Sequence, residues 1–299
     1  MDSVAKLVNE LSEAKNVVFI IGEGCLRGIG AILNVAMRIN AKIVTTPHAK
    51  GLISPYHPLF CGVLGFAGHV SAIDAIDDEV DTIVAVGTTL SETSSNTWDQ
   101  KVLNQRLIHI DSSEDNLMHS PMARLHVRGD IVKVFEEVEN IYEIKKVATS
   151  NDRDLNKSTS NETKTPELKR SFKVLEEEKC IDSNSPIKPQ RLMTLLPKIF
   201  PPETKYLCDS GNSMAWSIHY LHPYDRRVAG SREDEHGRLF WTCLEFGSMG
   251  WAIGSSIGTS LANNNHPVVC LTGDGSMLMY GGEVTVALQE KLPVFFCYS

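Results

Sequence analysis

The residues in this 299-residue chain best suited to chemistry lie near its end, in Gly273, Asp274, Gly275 and Ser276, directly after the apolar run 268–272. A carboxylate where a buried strand ends, with glycine on each side, admits two readings. Asp-Gly is common turn chemistry, and Asp and Ser are favoured at helix N-caps, so the motif by itself divides evenly between a turn and a site. The setting favours the site. Glycines let a backbone approach a bulky anion, and the amides opening the next helix attract one. An acid among such amides makes sense when a cation lies between acid and anion. Mg²⁺ suits that position, because it takes few protein ligands and completes its shell with phosphate oxygens and water. The unit therefore reads as a Mg²⁺–diphosphate site with Asp274 as metal ligand, flanked by Gly273 and Gly275.

The elements that must position this motif follow from periodicity. Short β-branched runs alternate with helical patterns in two blocks, which predicts an α/β fold: two Rossmann-like, flavodoxin-like parallel-sheet domains, helices on both faces, joined by a polar linker. The first domain is placed at 1–144, with strands at "NVVFIIG", "KIVTT", "DTIVAVG", "RLIHID" and "RLHVRGD" and helices near 3–14, 29–40 and 131–144. Gly22, Gly87 and Asp111 fall at carboxyl ends of these strands, where open α/β sheets bind ligands. "GEGCLRGIG" misses the dinucleotide spacing because Arg27 stands where a glycine is needed, so it reads as a strand–helix turn. Residues 145–185 are almost wholly polar, which predicts a linker or surface excursion with room for one short helix in "ELKRSFKVLEEE". The second domain, 186–299, is predicted to hold a helix starting near Pro189, strands at "KYLCD", near "RRVAG", at "HPVVCLTGD" and at "PVFFCYS", and helices across "SMAWSIHYLH" and 281–291.

Bulk properties narrow the function classes. Composition is that of a globular protein, with 42% hydrophobic and 22% charged residues, and a formal charge of −8 offers no basic face for nucleic acid or anionic lipid. No apolar run approaches the roughly 20 residues of a membrane span, and the N-terminus lacks a signal-peptide core. The seven cysteines are scattered without a CxxC pair, which predicts reduced thiols, a cytoplasmic location and no zinc site.

At three places the sequence resembles the thiamine diphosphate enzymes of the acetolactate synthase and pyruvate oxidase group. "GDGSMLMYGGEVTVALQEKLPV" resembles their metal-binding signature, "DSGNSMAWSIHYL" (209–221) their diphosphate-holding segment, and "EFGSMGWAIGSSIG" (245–258) their aminopyrimidine-holding segment. The resemblance implies that Gly211, Asn212 and Ser213 hold the diphosphate and that the Gly247 carbonyl accepts from the aminopyrimidine. It also implies that Met249 supports the bent cofactor and that Ser276 assists Asp274 at Mg²⁺. Read singly, Met249 is equally a core residue, and Gly250, Gly254 and Gly258 are equally helix-packing glycines. In the first domain, "TTPHAKGLISPYHPLFCGVLGFAGHVSAIDAI" (45–76), with Gly65 and Gly68, resembles the group's central domain, whose strand ends hold FAD or an ADP-like group in some members. Gly22, Gly65, Gly68, Gly87 and Asp111 are the residues such a nucleotide would meet, although the arginine of flavin-binding members is absent from "TTLSET".

The function implied is thiamine diphosphate- and Mg²⁺-dependent decarboxylation and carboligation of a 2-oxo acid such as pyruvate. The activating glutamate is expected in a pyrimidine-binding domain outside this sequence, on the same parent protein or a partner chain, in a homo-oligomer. A second metal ligand, an Asn, is expected one position beyond Ser299, so this chain alone is expected to hold a half-built metal site, to be inactive and to be part of a longer enzyme. Three other readings stand beside it: a pyruvate oxidase- or decarboxylase-type member of the same group, a non-catalytic thiamine diphosphate- or nucleotide-binding module that needs a partner chain, and a plain NAD- or FAD-dependent oxidoreductase.

Overall fold

A computed structural model describes residues 2–149, 170–223, 238–263 and 266–298. The first domain is a six-stranded, wholly parallel sheet in the order β3-β2-β1-β4-β5-β6. Its strands are β1 (Val17–Ile21), β2 (Lys42–Thr45), β3 (Phe60–Val63), β4 (Thr82–Val86), β5 (Leu107–Asp111) and β6 (Leu125–Arg128). Both faces of the sheet are covered, as continuous apolar runs require of parallel strands. Val17, Phe19 and Ile21 of β1 pack with α1 (Asp2–Glu13), α2 (Ile29–Arg38) and α5 (Ile131–Thr149). Val18 and Ile20 pack on the other face with α3 (Val70–Asp74); a short α4 (Glu114–Met118) follows β5.

The second domain is a four-stranded parallel sheet, β10-β9-β7-β8, from β7 (Lys205–Cys208), β8 (Phe240–Thr242), β9 (Val268–Thr272) and β10 (Val294–Tyr298). Tyr206, Cys208, Val269 and Leu271 share a cluster with α6 (Pro189–Ile199) and α7 (Asn212–Tyr220). Leu207, Val268 and Cys270 meet α8 (Trp251–Ala262) on the opposite face. Pro189 is the first helical residue, where its missing N–H costs nothing. The two-domain parallel α/β class is as predicted.

Some elements differ. β3 and β8 were not expected, and the strand predicted near 226–230 lies outside the described residues. After β9 the chain turns helical at once, in α9 (Asp274–Tyr280), passes through a 3-10 turn (Gly281–Glu283) and enters a short α10 (Val284–Gln289), in place of one helix over 281–291. The described part of "ELKRSFKVLEEE" is not α-helical: Glu176 adopts φ +46, which interrupts any helix, and only a 3-10 turn follows at Glu177–Cys180. Nor is this segment a loose excursion from residue 170 on. Phe172 and Val174 are buried in the core that joins the domains, and Phe172 meets Phe60 edge-on at 5.5 Å. All seven cysteines are free.

The domains meet through a chain of buried hydrogen bonds whose proton positions are fixed by their partners. The Val63 amide donates to His69 Nδ1 at 2.9 Å, so the neutral ring carries its proton on Nε2 and donates to the His219 carbonyl at 3.0 Å. The Leu175 amide donates to His219 Nε2 at 2.8 Å, which leaves Nδ1–H to donate to the Gly68 carbonyl at 2.9 Å. Lys50 Nζ donates to the Ile218 carbonyl at 2.8 Å and lies 3.3 Å from His222 Nδ1, while His222 Nε2 donates to the His219 carbonyl at 2.8 Å. The His69 and His219 rings stack at 4.7 Å, and Phe172 seals the cluster 4.4 Å from His69.

Burial pushes all four basic groups toward their neutral forms: Lys50 and His222 well below their ordinary values, His219 downward, and His69 to about 3, with the mutual repulsion of these groups and Arg170 adding to it. Protonating His69 Nδ1 would set an N–H against the Val63 amide. The imidazoles' contribution to stability is therefore complete above their unfolded value near 6.5 and is lost as pH falls from there toward about 3. Urea midpoints are expected to drop steadily between pH 6.5 and 4. His69 alone should add about 1.4 kcal/mol per pH unit to the slope, so H69Q, measured in parallel, should show a shallower fall.

Candidate functional site

The site is built where three loops leave the carboxyl ends of β7 and β9 and enter α7, α8 and α9. β10 runs parallel to β9 with Tyr298 level with Thr272, so its carboxyl end also reaches this edge, as expected. The loop after β7 carries Gly211 at φ +116 with nothing within 4 Å of where a Cβ would sit. Glycine is demanded there by conformation, not by crowding, and the space beside it is open. Asn212, the first residue of α7, is exposed beside it. Ser213 is buried and its hydroxyl reaches the Asp209 carbonyl at 3.5 Å, so its side chain is turned into the loop's own turn.

The loop before α8 carries Gly247 at φ +65 and Gly250 at φ +89. Gly247 lies against the first loop, its Cβ position 3.6 Å from Ser210 Oγ. Met249 is partly exposed and covers Gly275, where a Cβ would fall 2.3 Å from the methionine methyl. Met249 is thus not a core residue but a cap over the third loop. Gly254 and Gly258 are exposed on α8 with nothing near them, so the helix-packing reading fails for both. Gly250 does have a packing role, at the helix N-cap, with the Tyr280 ring against it.

In the third loop, Gly273 is the N-cap of α9 and Asp274 its first residue. The Asp274 carboxylate is exposed and, among the described residues, accepts only the neighbouring Gly275 amide, at 2.9 Å, leaving oxygens to face a ligand. Behind it, the Ser276 hydroxyl is fully buried with no partner among the described residues. An orphaned buried hydroxyl next to a free carboxylate, at amides opening a helix, is the donor set that a metal-bound diphosphate would complete. The residues present fit the group.

The structure thus gathers Gly211, Asn212, Gly247, Met249, Gly273, Asp274, Gly275 and Ser276 on one edge. Sequence reasoning passed over Asp209, which ties these loops together. It is wholly buried, and its carboxylate accepts the Gly250 amide at 3.0 Å on both oxygens, the Ser210 amide at 3.0 Å and the Thr272 hydroxyl at 3.3 Å. The signal was in plain view: in "DSG" an acid two residues before a glycine ends a strand next to the one that "GDG" ends.

The five residues proposed for a nucleotide edge in the first domain are met by the chain itself. A Cβ on Gly22 would fall 2.0 Å from the Gly87 carbonyl oxygen, one on Gly65 2.1 Å from the Thr93 carbonyl oxygen, and one on Gly68 2.3 Å from that of Val63. Gly87, at φ +58, is closed over by Gly24 and Ile131. The Phe66 amide donates to Thr93 at 2.8 Å, so the "TTLSETSS" segment lies across Gly65. Asp111 is buried and accepts the Ser113 amide at 2.8 Å.

Comparison with known proteins agrees with this geometry. The description "Thiamine pyrophosphate enzyme, central domain" matches residues 4–138, and "Thiamine pyrophosphate enzyme, C-terminal TPP binding domain" matches residues 209–298. A probable acetolactate synthase large subunit of Methanococcus aeolicus is 26% identical over 98% of this chain and 48% of its own length. The acetolactate synthase large subunit of Haemophilus influenzae is 24% identical over 97% of this chain and 48% of its own. A sulfoacetaldehyde acetyltransferase of Castellaniella defragrans is 25% identical over 98% of this chain and 49% of its own. The chain spans about half the length of these relatives.

Two glycines of one loop and helix should respond oppositely to alanine. Gly250→Ala sets a Cβ 2.1 Å from the Tyr280 ring at positive φ, and should cost about 2 kcal/mol or more. Gly254→Ala, in open space on the same helix, should stabilise by about 0.5–1 kcal/mol. Thermal unfolding of the two variants against the parent checks both signs.

Proposed function

Because this chain belongs to the thiamine pyrophosphate enzymes, we propose that it serves the Mg²⁺-dependent decarboxylation and carboligation of a 2-oxo acid such as pyruvate, in the manner of acetolactate synthase. The observation that carries the reading is the free Asp274 carboxylate beside the orphaned Ser276 hydroxyl, under the Met249 cap. Asp274 would hold Mg²⁺ with help from Ser276, and Asn212 and the open backbone at Gly211 would hold the diphosphate. The Gly247 carbonyl would orient the aminopyrimidine, and Met249 would set the bend between the cofactor's two ends. Thiamine diphosphate, when bound, supplies the electron sink that makes loss of CO₂ from a 2-oxo acid feasible. The chain's own residues bind and orient.

Among the described residues none at this edge is placed as the carboxylate that activates the aminopyrimidine. The carboxylate of Glu245, which immediately precedes the Phe246–Gly247 segment, is engaged with His48 at 3.2 Å. The activating acid is assigned to a pyrimidine-binding domain of a parent protein or partner chain, in an oligomeric cytoplasmic assembly. That relatives carry the words "large subunit" supports a partner chain. Flavin is left out of this proposal because the arginine of flavin-binding members is absent from the segment after Gly87.

Calorimetric titration with thiamine diphosphate should give binding in MgCl₂ that EDTA abolishes. Pyruvate consumption should appear only when a pyrimidine-binding domain is added. Absence of binding with Mg²⁺ present would overturn the cofactor assignment; binding without turnover under any pairing would leave the non-catalytic module as the better reading.

A further inference from the structure

We infer that Asp209 is the positioning residue of the cofactor site, a buried carboxylate that sets the distance between the pole for the diphosphate and the pole for the aminopyrimidine. The inference rests on the thiamine diphosphate reading above and goes beyond it by naming the group that holds the two poles in register.

Asp209 follows β7 directly, and its own amide donates to the Leu271 carbonyl of β9 at 2.8 Å, so its Cα is fixed to both central strands. From there its two oxygens reach three loops. Oδ1 accepts the Ser210 amide, which leads to Gly211 and Asn212; Oδ2 accepts the Thr272 hydroxyl, which precedes Gly273 and Asp274; and both accept the Gly250 amide, which ends the Gly247–Met249 loop. Every donor it meets among the described residues is an amide or a hydroxyl, so its role is geometric.

The need for a carboxylate follows from counting acceptors. Only Asp or Glu offers two acceptor oxygens and no donor, and Asp209 uses both. Its charge is met by the amide end of the twelve-residue α8, where a negative group is favoured. A buried negative charge near an anionic diphosphate works against that ligand unless something is gained, and what is gained is the placement of the 245–250 loop. This loop has little burial of its own. Phe246 is 89% exposed and Met249 37%, so the bond from Gly250 to Asp209 sets how high Met249 stands over Gly275.

The poles can be told apart by their ligands. Inorganic pyrophosphate with Mg²⁺ uses only the diphosphate pole, whereas thiamine diphosphate uses both. In D209N, the retained oxygen still accepts the Ser210 amide and one branch of the Gly250 N–H, while the new amide group replaces the acceptor that served the other branch and the Thr272 hydroxyl. Calorimetry in MgCl₂ on the full chain should find thiamine diphosphate affinity lowered at least about tenfold and pyrophosphate affinity within about twofold of the parent. The thermal midpoint of the ligand-free variant is measured alongside. Unchanged affinity for both ligands, or parallel loss of both, overturns the inference; a parent protein that binds pyrophosphate but not thiamine diphosphate overturns the cofactor reading itself. Should D209N fail to fold, T272V removes one donor to the same carboxylate without changing shape. Thiamine diphosphate affinity should fall about threefold in that variant, and unchanged affinity there equally overturns the inference.

Discussion

The arrangement depends on three imidazoles that are kept neutral at the junction of the domains. His69 belongs to the first sheet's surroundings, His219 and His222 to α7 and the residue pair after it, and their partners include β3, the 170–175 segment and Lys50. Because α7 begins at the proposed cofactor edge and ends in this junction, the height of Asn212 is tied to the packing of the first domain. Burying unpaired basic groups is adverse unless each donor and acceptor is matched. Here each ring nitrogen has a partner, and the cost falls on protonation.

Two aspartates at neighbouring strand ends show how burial separates roles. Asp209 is closed off and spends its oxygens on backbone and hydroxyl donors. Asp274, one strand over, keeps its carboxylate in the open and, among the described residues, accepts only a neighbouring amide. Each stands at the carboxyl end of a strand with glycine within two residues after it. What differs is the loop that lands on each: Gly250 comes down on Asp209, and Met249 covers Gly275 but leaves Asp274 free.

The parts legible in the sequence were those with long apolar runs. β1, β4, β5 and β9 are five-residue strands buried along their whole length, and their carboxyl ends locate the ligand edge without reference to anything else. β3 and β8 were not legible, since "FCGV" and "FWT" are short and lie among glycines and turn residues, and their pairing is decided by neighbours distant in sequence. The 170–185 stretch misled by composition: two apolar side chains, Phe172 and Val174, suffice to anchor a polar segment when a ready-made cleft receives them. Asp209 was hidden for a related reason, because its three partners come from positions up to 63 residues away.

The junction has one more consequence. Its hydrogen bonds place the ring proton on Nε2 in His69 and His222 but on Nδ1 in His219. Free histidine in water favours the Nε2 form, so His219 is held in the minority tautomer by the Leu175 amide on one side and the Gly68 carbonyl on the other. The nitrogen resonances of a single imidazole therefore report whether the segment before the second domain is seated between the two sheets.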